Sequence, residues 1–146
     1  MKIHQLSLFL ENKPGQMVDP CKLLAAAGVD LRTAMLADTE RFGILRMIVS
    51  DWQKGRDILR GAGFIVNVTE VLAVEVPDRP GGMVHLLEVL EKSPVNIEYM
   101  YAFSFDCDGK AVLIFRFDET DNAIRVLSAA GINVLASVDI YRRIEG

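Results

Sequence analysis

The sequence is poor in cysteine and histidine, with two residues of each among 146. Cys21 and Cys107 lie far apart and form no Cys-x-x-Cys pair, so neither a zinc site nor a dithiol redox motif is predicted. His4 and His85 have no companion at a helical spacing, and we therefore expect neither a metal nor a cofactor. This cysteine usage is typical of a reduced, cytoplasmic protein.

Long apolar runs and an excess of positive charge are also absent. The longest apolar stretches, Leu23–Val29 and Ala111–Phe115, are far shorter than the roughly 18 residues of a membrane helix. The first residues lack the apolar stretch and the cleavage site of a signal peptide. Lysine and arginine number 16 against 20 acidic residues, which leaves a formal charge of -4. We therefore expect no nucleic-acid partner and no membrane partner.

Motifs that carry catalysis are missing as well. The sequence contains no GxSxG, HExxH or GxxxxGK[ST] motif and no carboxylate pair in an evident acid–base context. The segment Asp106–Gly109 is similar to the start of a calcium loop, but Phe117 occupies the position where that loop needs a glutamate. We interpret the segment as a hairpin turn, and we expect that the protein is not an enzyme.

What the sequence does contain is one pattern that occurs twice. The segment LFLENKPGQM, which begins at Leu8, aligns with VEVPDRPGGM, which begins at Val74, at an offset of 66 residues. Towards the end the offset grows by two, where Gly63 aligns with Gly131, and this predicts a small insertion before the last helix. We therefore predict two tandem domains, residues 1–70 and 71–146.

Each half shows the periodicity of strand, helix, strand, strand, helix and strand. Strands are predicted at 3–10, 29–37, 44–50 and 64–70, and at 71–76, 95–104, 111–117 and 133–144; helices are predicted around 17–24, 58–62, 83–90 and 123–130. This order predicts an α+β fold of two ferredoxin-like βαββαβ units, each a four-stranded antiparallel sheet with two helices on one face. Within the first helix, either Asp19 is the cap and Pro20 the first helical residue, or the first turn is distorted.

The repeated feature that is not simply core is the turn after the first strand of each half. Its residues are Asn12, Lys13, Pro14, Gly15, Gln16 and Met17 in the first copy, and Asp78, Arg79, Pro80, Gly81, Gly82 and Met83 in the second. Glycine lets another group approach the backbone, and the N–H groups at the start of a helix suit a carboxylate or a phosphate. The alternative is that Pro-Gly only forms a tight turn between strand and helix.

The βαββαβ order, the (N/D)-(K/R)-P-G-x-M turn, and the second-strand starts Gly28-Val29-Asp30-Leu31 and Pro94-Val95-Asn96-Ile97 resemble ACT domains over nearly the whole chain. ACT domains are regulatory modules that commonly bind amino acids, so the resemblance implies a free-standing tandem sensor of amino-acid metabolism. It also implies a ligand at the interface of paired ACT units, held by the residues of both turns together with Asp30 and Asn96. The ligand's carboxylate is expected at the turns and its ammonium group at Asp30 or Asn96.

Two other functions remain open from the sequence. One is a ligand-independent, oligomerising regulatory subunit that modulates a partner enzyme by contact. Its support is that the strands 44–49 and 111–115 are apolar on both faces, so a second sheet is expected to cover them and a homodimer is predicted. The other is RNA binding, because Phe115 and Phe117 share a strand face, but the acidic charge and the missing glycine–aromatic pattern disfavour it.

Overall fold

The computed structural model describes residues 2–38, 40–103, 108–136, 139, 140 and 142. The described chain divides into two compact units. The first unit is His4–Thr69, and the second is formed by Lys2, Ile3 and the described residues from Glu70 onward. The boundary between independent domains at residue 70 stays a prediction, because a compact unit in the folded chain need not fold alone.

The first unit is a four-stranded sheet with two helices. Its elements are β1 (Ile3–Glu11), α1 (Val18–Ala26), β2 (Leu31–Asp38), β3 (Phe42–Val49), α2 (Trp52–Gly61) and the beginning of β4 (Val66–Pro77), and the strand order is β2-β3-β1-β4. Leu6, Leu8 and Leu10 alternate along β1 and pack with Leu24 and Leu59 of the two helices. The period of two along β1 therefore places one apolar face of the sheet against the helices.

The second unit repeats this arrangement. It contains the rest of β4, then α3 (Val84–Glu91), β5 (Ile97–Ala102), β6 (Lys110–Phe117), α4 (Thr120–Ala129) and β7 (Val134–Leu135), in the strand order β7-β4-β6-β5. Leu72, Val74 and Val76 of β4 pack with Leu86 of α3 and Leu127 of α4. The predicted α+β, ferredoxin-like fold with antiparallel pairing is confirmed.

The strand registers show where the two-residue insertion lies, and this differs from the place that the sequence alignment gave. In the first unit Leu8 pairs with Leu45, and in the second Val74 pairs with Leu113, so the offset is 66 residues for the first strand but already 68 for the third. The extra residues therefore lie between β5 and β6. They precede the last helix, as predicted, but they already precede β6, whereas an alignment of Ile48 with Ile114 at an offset of 66 would place them after that strand. Because side chains alternate with a period of two, a shift by two leaves the apolar pattern of a strand unchanged, and the sequence alone could not reveal it.

The first helix begins two residues earlier than the alternative with Asp19 as its cap requires. Met17 is the N-cap, so Val18 and Asp19 precede Pro20 within α1, and the prediction of Asp19 as cap is wrong. Pro20 is buried in the first helical turn. A proline is accommodated there because the first N–H groups of a helix have no acceptor within the helix.

The last predicted strand, residues 133–144, is wrong at most of its described positions, and residues 137, 138, 141, 143 and 144 lie outside the described residues. β7 is limited to Val134–Leu135, and Asp139 and Ile140 are helical. Their N–H groups donate to the carbonyl oxygen of Ala136 at 3.0 and 3.3 Å. Ile140 is only 1% exposed, and a helical turn buries one apolar side chain as well as a strand does, so the apolar alternation did not distinguish the two.

Candidate functional site

The two repeated turns have the same backbone conformation. Gly15 and Gly81 both adopt positive φ, at 82° and 80°, a region that favours glycine. The helices that follow begin after Met17 and Met83, and neither N-cap makes a side-chain hydrogen bond among the described residues. No described side chain therefore caps α1 or α3, and the backbone N–H groups of Val18 and Val84 donate instead to the carbonyl oxygens of Gly15 and Gly81, at 3.4 and 3.0 Å.

A cavity of about 240 Å³, the first cavity, lies beside the first turn. Of the predicted residues it is lined by Asn12, Lys13, Gly15, Gln16 and Met17, whereas Pro14 lies outside this lining; Leu10, Glu11, Val18, Leu36 and Gly43 complete it. The Lys13 ammonium lies 2.6 Å from a Glu11 carboxylate oxygen, and both side chains are more than half exposed. A pair this exposed contributes only about 0–1 kcal/mol and leaves both groups accessible to solvent.

A larger cavity of about 390 Å³, the second cavity, lies beside the second turn. Arg79, Gly81 and Gly82 were predicted and line it, whereas Asp78, Pro80 and Met83 lie outside its lining; the other residues are Glu75, Val76, Pro77, His85, Leu86, Lys110, Gly131, Ile132 and Asn133. Its volume falls within the range of small-molecule sites. His85, which the sequence analysis did not assign to a site, also belongs to this lining.

Two residues of this lining, Lys110 and Glu75, form an ion pair that the sequence analysis missed. Lys110 Nζ lies 2.9 Å from Glu75 Oε1, and the Glu75 side chain is only 5% exposed against 54% for Lys110. A buried carboxylate needs such a partner, because its desolvation is costly. One signal was present in the sequence, since Glu75 is an isolated acidic residue between Val74 and Val76 in an apolar strand.

The first unit carries different residues at the matching positions. With the registers above, Glu75 corresponds to Phe9 and Lys110 to Phe42. Phe9 is 41% exposed and Phe42 is 55% exposed. The two units therefore differ in charge at this pair of positions, and neither Phe9 nor Phe42 lines the first cavity.

The structure does not bring Asp30 or Asn96 to the turn of its own unit. β2 starts at Leu31, which pairs with Val49, whereas the first turn follows Glu11, which pairs with Phe42 at the other end of β3. At about 3.3 Å per residue, those ends of β3 are roughly 23 Å apart. A ligand of amino-acid size cannot reach both within one unit.

Asp30 and Asn96 instead occupy equivalent strand starts. The backbone N–H of Asp30 donates to Ser50 Oγ, and that of Asn96 donates to Asp118 Oδ1, both at 2.9 Å. The Asp30 carboxylate also pairs with Arg32 at 3.2 Å. Asp30 lines a third cavity of about 370 Å³ at the end of α1. In this conformation the two residues help to hold the ends of their sheets.

Two further features bear on the excluded functions. In the described parts of the chain, no group of three or more His, Cys, Asp or Glu side chains is placed to hold a metal ion. Among the helices of these same residues, none is long and apolar enough to cross a membrane.

The hairpin turn predicted at residues 106–109 is described only in its second half, because residues 106 and 107 lie outside the described residues. Asp108 and Gly109 both have positive φ.

Comparison with known proteins places the chain in one family. A family model described as an ACT domain pair matches residues 1–144. The solved structure of protein BT0572 from Bacteroides thetaiotaomicron is 37% identical, with 97% of this chain and 96% of that chain covered and a TM-score of 0.89. No curated protein matches the sequence.

More distant solved structures share the fold alone. The ligand-free regulatory subunit of aspartate kinase from Thermus thermophilus is 14% identical, covers 87% of this chain and 91% of its own, and has a TM-score of 0.63. Its counterpart from Thermus flavus is 16% identical, with 90% and 94% covered and a TM-score of 0.62. With its two βαββαβ units, its two equivalent Pro-Gly turns and a family match over nearly its whole length, the chain belongs to the ACT domain pair family.

Proposed function

We infer that this chain is a regulatory sensor that binds an amino acid and has no catalytic activity of its own. The observation that carries the proposal is the second cavity of about 390 Å³, which lies at the start of α3 and whose lining residues include the basic Arg79 and Lys110 and the acidic Glu75. Groups of both signs in one small cavity suit a zwitterion. Solved structures with the same fold include aspartate kinase regulatory subunits, so the fold is one that serves regulation.

The ligand's carboxylate is assigned to the turn and the helix start. Backbone N–H groups at a helix N-terminus carry a partial positive charge, and Arg79 adds a full one. Charge-assisted hydrogen bonds of this kind contribute about 1.5–3 kcal/mol each. The first turn offers the same backbone frame, so both turns stay proposed ligand contacts, while Asp30 and Asn96 are proposed only for a ligand that meets them from another unit.

The output of such a sensor requires a second protein or a second copy. We propose residues 1–70 and 71–146 as two ACT domains of a cytoplasmic homodimer that acts on a partner enzyme. Binding changes such an assembly only if the ligand prefers one arrangement of it over another.

The exposed apolar side chains of Phe9, Leu36 and Phe42 also support a contact-only regulatory subunit as the second candidate. Sedimentation equilibrium of the purified chain measures the oligomeric state, and a monomer at all concentrations contradicts the homodimer.

Calorimetric titration tests the binding function. Each of the twenty L-amino acids is titrated separately into the purified full chain at constant pH. We expect a saturable heat with a dissociation constant in the millimolar range or tighter for one chemical class of side chain. If none gives a saturable heat, the amino-acid sensor is contradicted and the contact-only subunit becomes the leading function.

A further inference from the structure

We propose that an apolar row on the sheet of the first unit is the surface through which two copies of the chain form the homodimer. The row lies on the face of the sheet that is opposite to α1 and α2. The proposal rests on the homodimer proposed above and makes it more specific, because it names the contacting residues and the arrangement of the two copies. All of these residues belong to the first unit.

The strand registers bring four apolar residues into one row across the sheet. Phe9 of β1 pairs with Ile44 of β3, and Ile44 pairs with Ala37 of β2. On the other side of β1, the backbone N–H of Phe9 donates to the carbonyl oxygen of Ile65, immediately before β4, at 3.3 Å. Residues that face each other across antiparallel strands project to the same side of the sheet. We refer to Ile65, Phe9, Ile44 and Ala37 as the apolar row.

The alternation along the strands places the apolar row away from the helices. Leu8 and Leu10 flank Phe9, and Val66 follows Ile65. These three flanking residues belong to the core cluster that contains side chains of α1 and α2. Because successive side chains of a strand point to opposite faces, Phe9 and Ile65 lie on the other face of the sheet.

The apolar row is accessible in the chain. Ile65 is 66% exposed and Phe9 is 41% exposed, whereas Ile44 and Ala37 are half-buried. Phe42, two residues from Ile44 on the same face of β3, is 55% exposed. Contiguous exposed apolar side chains of this kind mark a site of protein contact.

The second unit carries a different set of residues at the matching positions. Glu75 takes the place of Phe9, and Asn133 takes the place of Ile65, since its carbonyl oxygen accepts from the backbone N–H of Glu75. Two of the exposed apolar residues are thus replaced by polar ones, and Glu75 is buried. Among the described residues the second unit therefore offers no equivalent patch. One self-complementary patch in each chain produces a closed dimer and not a filament.

The rows on either side of the apolar row carry opposite charges. Towards the first turn Glu11 pairs with Phe42, and in the other direction Ser7 pairs with Arg46. The Glu11 side chain is 60% exposed although its carboxylate also pairs with Lys13, and Arg46 is half-buried. An acidic residue therefore lies at one border of the patch and a basic residue at the other.

A second copy of the chain matches this order of charges. When a two-fold axis runs along the apolar row, the strands of the two copies are antiparallel, and Glu11 of each copy faces the row that holds the partner's Arg46. The contact occurs twice, as a two-fold interface requires. An axis along the strands would instead bring the two Glu11 side chains together. Opposite charges around an apolar centre favour the antiparallel arrangement.

Sedimentation equilibrium of the full chain measures the dissociation constant of the dimer. Phe42→Lys places on the patch the residue type that the second unit has at the matching position, Lys110. Leu36→Lys is the matched control, because Leu36 is 52% exposed in the same unit but pairs with Leu45, a core residue on the helix side. We expect Phe42→Lys to raise the dissociation constant about tenfold or more and Leu36→Lys to leave it unchanged.

Charge reversal tests the arrangement of the two copies. Arg46 lies four residues from Phe42, the partner of Glu11, so Glu11 and Arg46 are about 13 Å apart along the strands of one chain. Glu11→Arg and Arg46→Glu should each weaken the dimer, and the double variant should restore it. At that separation a restored dimer reports a contact between the copies.

Four results would overturn the inference. A folded Phe42→Lys variant with the wild-type dissociation constant, or an equal loss for Leu36→Lys, moves the contact to another surface and leaves the homodimer intact. If Phe42→Lys does not fold, Ile65→Lys on the same row decides in the same way. A double charge variant that dimerises no better than the single ones contradicts the antiparallel arrangement. A wild-type chain that is monomeric at all concentrations contradicts the homodimer itself and leaves the apolar row to a partner enzyme.

Discussion

Lys110 and Glu75 form an ion pair between β6 and β4, with Nζ 2.9 Å from Oε1 of a side chain that is almost completely buried. The same two positions of the first unit hold Phe9 and Phe42. The two units therefore share the arrangement of strand, turn and helix but carry different side chains next to the turn. A charged cavity in one unit and exposed aromatic rings in the other are consistent with a division between ligand binding and protein contact.

Gly82 is predicted to be required for the shape of the second turn. A Cβ atom at Gly82 would lie 1.9 Å from the carbonyl oxygen of Pro77, so Gly82→Ala forces the backbone to move. We expect a loss of about 1–3 kcal/mol in the free energy of unfolding, measured by urea denaturation. Gly61→Ala is the matched control, because nothing lies within 4 Å of a Cβ there and the residue is helical. Equal stability of the two variants would contradict this account.

The two units also differ in how their second helices begin. The Asp51 side chain caps α2 by accepting from the backbone N–H of Lys54 at 3.1 Å, whereas Glu119 at the matching position of α4 makes no side-chain cap hydrogen bond. Asp51→Ala should therefore lower the free energy of unfolding by about 1 kcal/mol. Glu119→Ala should change the free energy of unfolding by a few tenths of a kcal/mol at most. A larger loss for Glu119→Ala, in the same thermal or urea melts, would refute the assignment.

Asparagine in place of the turn glycines tests which cavity is occupied. Gly15 and Gly81 have positive φ and open space at a Cβ position, and asparagine tolerates this conformation better than valine or alanine. We expect Gly81→Asn to weaken amino-acid binding at least tenfold by filling the second cavity. Gly15→Asn should lower the calorimetric stoichiometry only if the first cavity binds as well. Unchanged binding in both folded variants would exclude the turns as ligand contacts.

Lys2 gives a stability effect with a defined pH dependence. The Asp121 carboxylate at 2.9 Å, followed by that of Glu70 at 3.2 Å, raises the pKa of Lys2 above its ordinary value. The stabilisation is therefore fully present below the ordinary lysine pKa and is lost as the pH rises through the higher pKa of the folded state. In urea melts the difference between wild type and Lys2→Met should be present at pH 8 and disappear in the alkaline range. A difference that persists there would contradict the ion-pair origin.

The sequence predicted the fold well because its core follows simple periods. Leu6, Leu8 and Leu10 alternate, and Leu86 and Leu90 lie one helical turn apart, and both groups are buried as expected. The short β7 and the position of the two-residue insertion could not be predicted, because a helical turn and a shift by two both preserve the apolar pattern. The strand registers located the insertion, and hydrogen bonds to the carbonyl oxygen of Ala136 identified the helical turn after β7.

The candidate site was predicted only in part. The turns were found because Pro-Gly and the following helix start are local signals, and Gly15 and Gly81 do line cavities. The Glu75–Lys110 pair was missed because its members are far apart in sequence and meet only through the β4–β6 register, in which Pro77 faces Lys110. A charge inside an apolar strand identifies a candidate, but its partner becomes visible only in the folded sheet.

The most direct test of the central claim is the melting temperature of the purified chain with each of the twenty L-amino acids at millimolar concentration. A ligand at 100 times its dissociation constant adds about 2.7 kcal/mol to the free energy of unfolding. For a chain of this size, each kcal/mol raises the melting temperature by roughly 2–4 °C. We predict such a rise for one chemical class of amino acid, and no rise with any of the twenty would contradict amino-acid sensing.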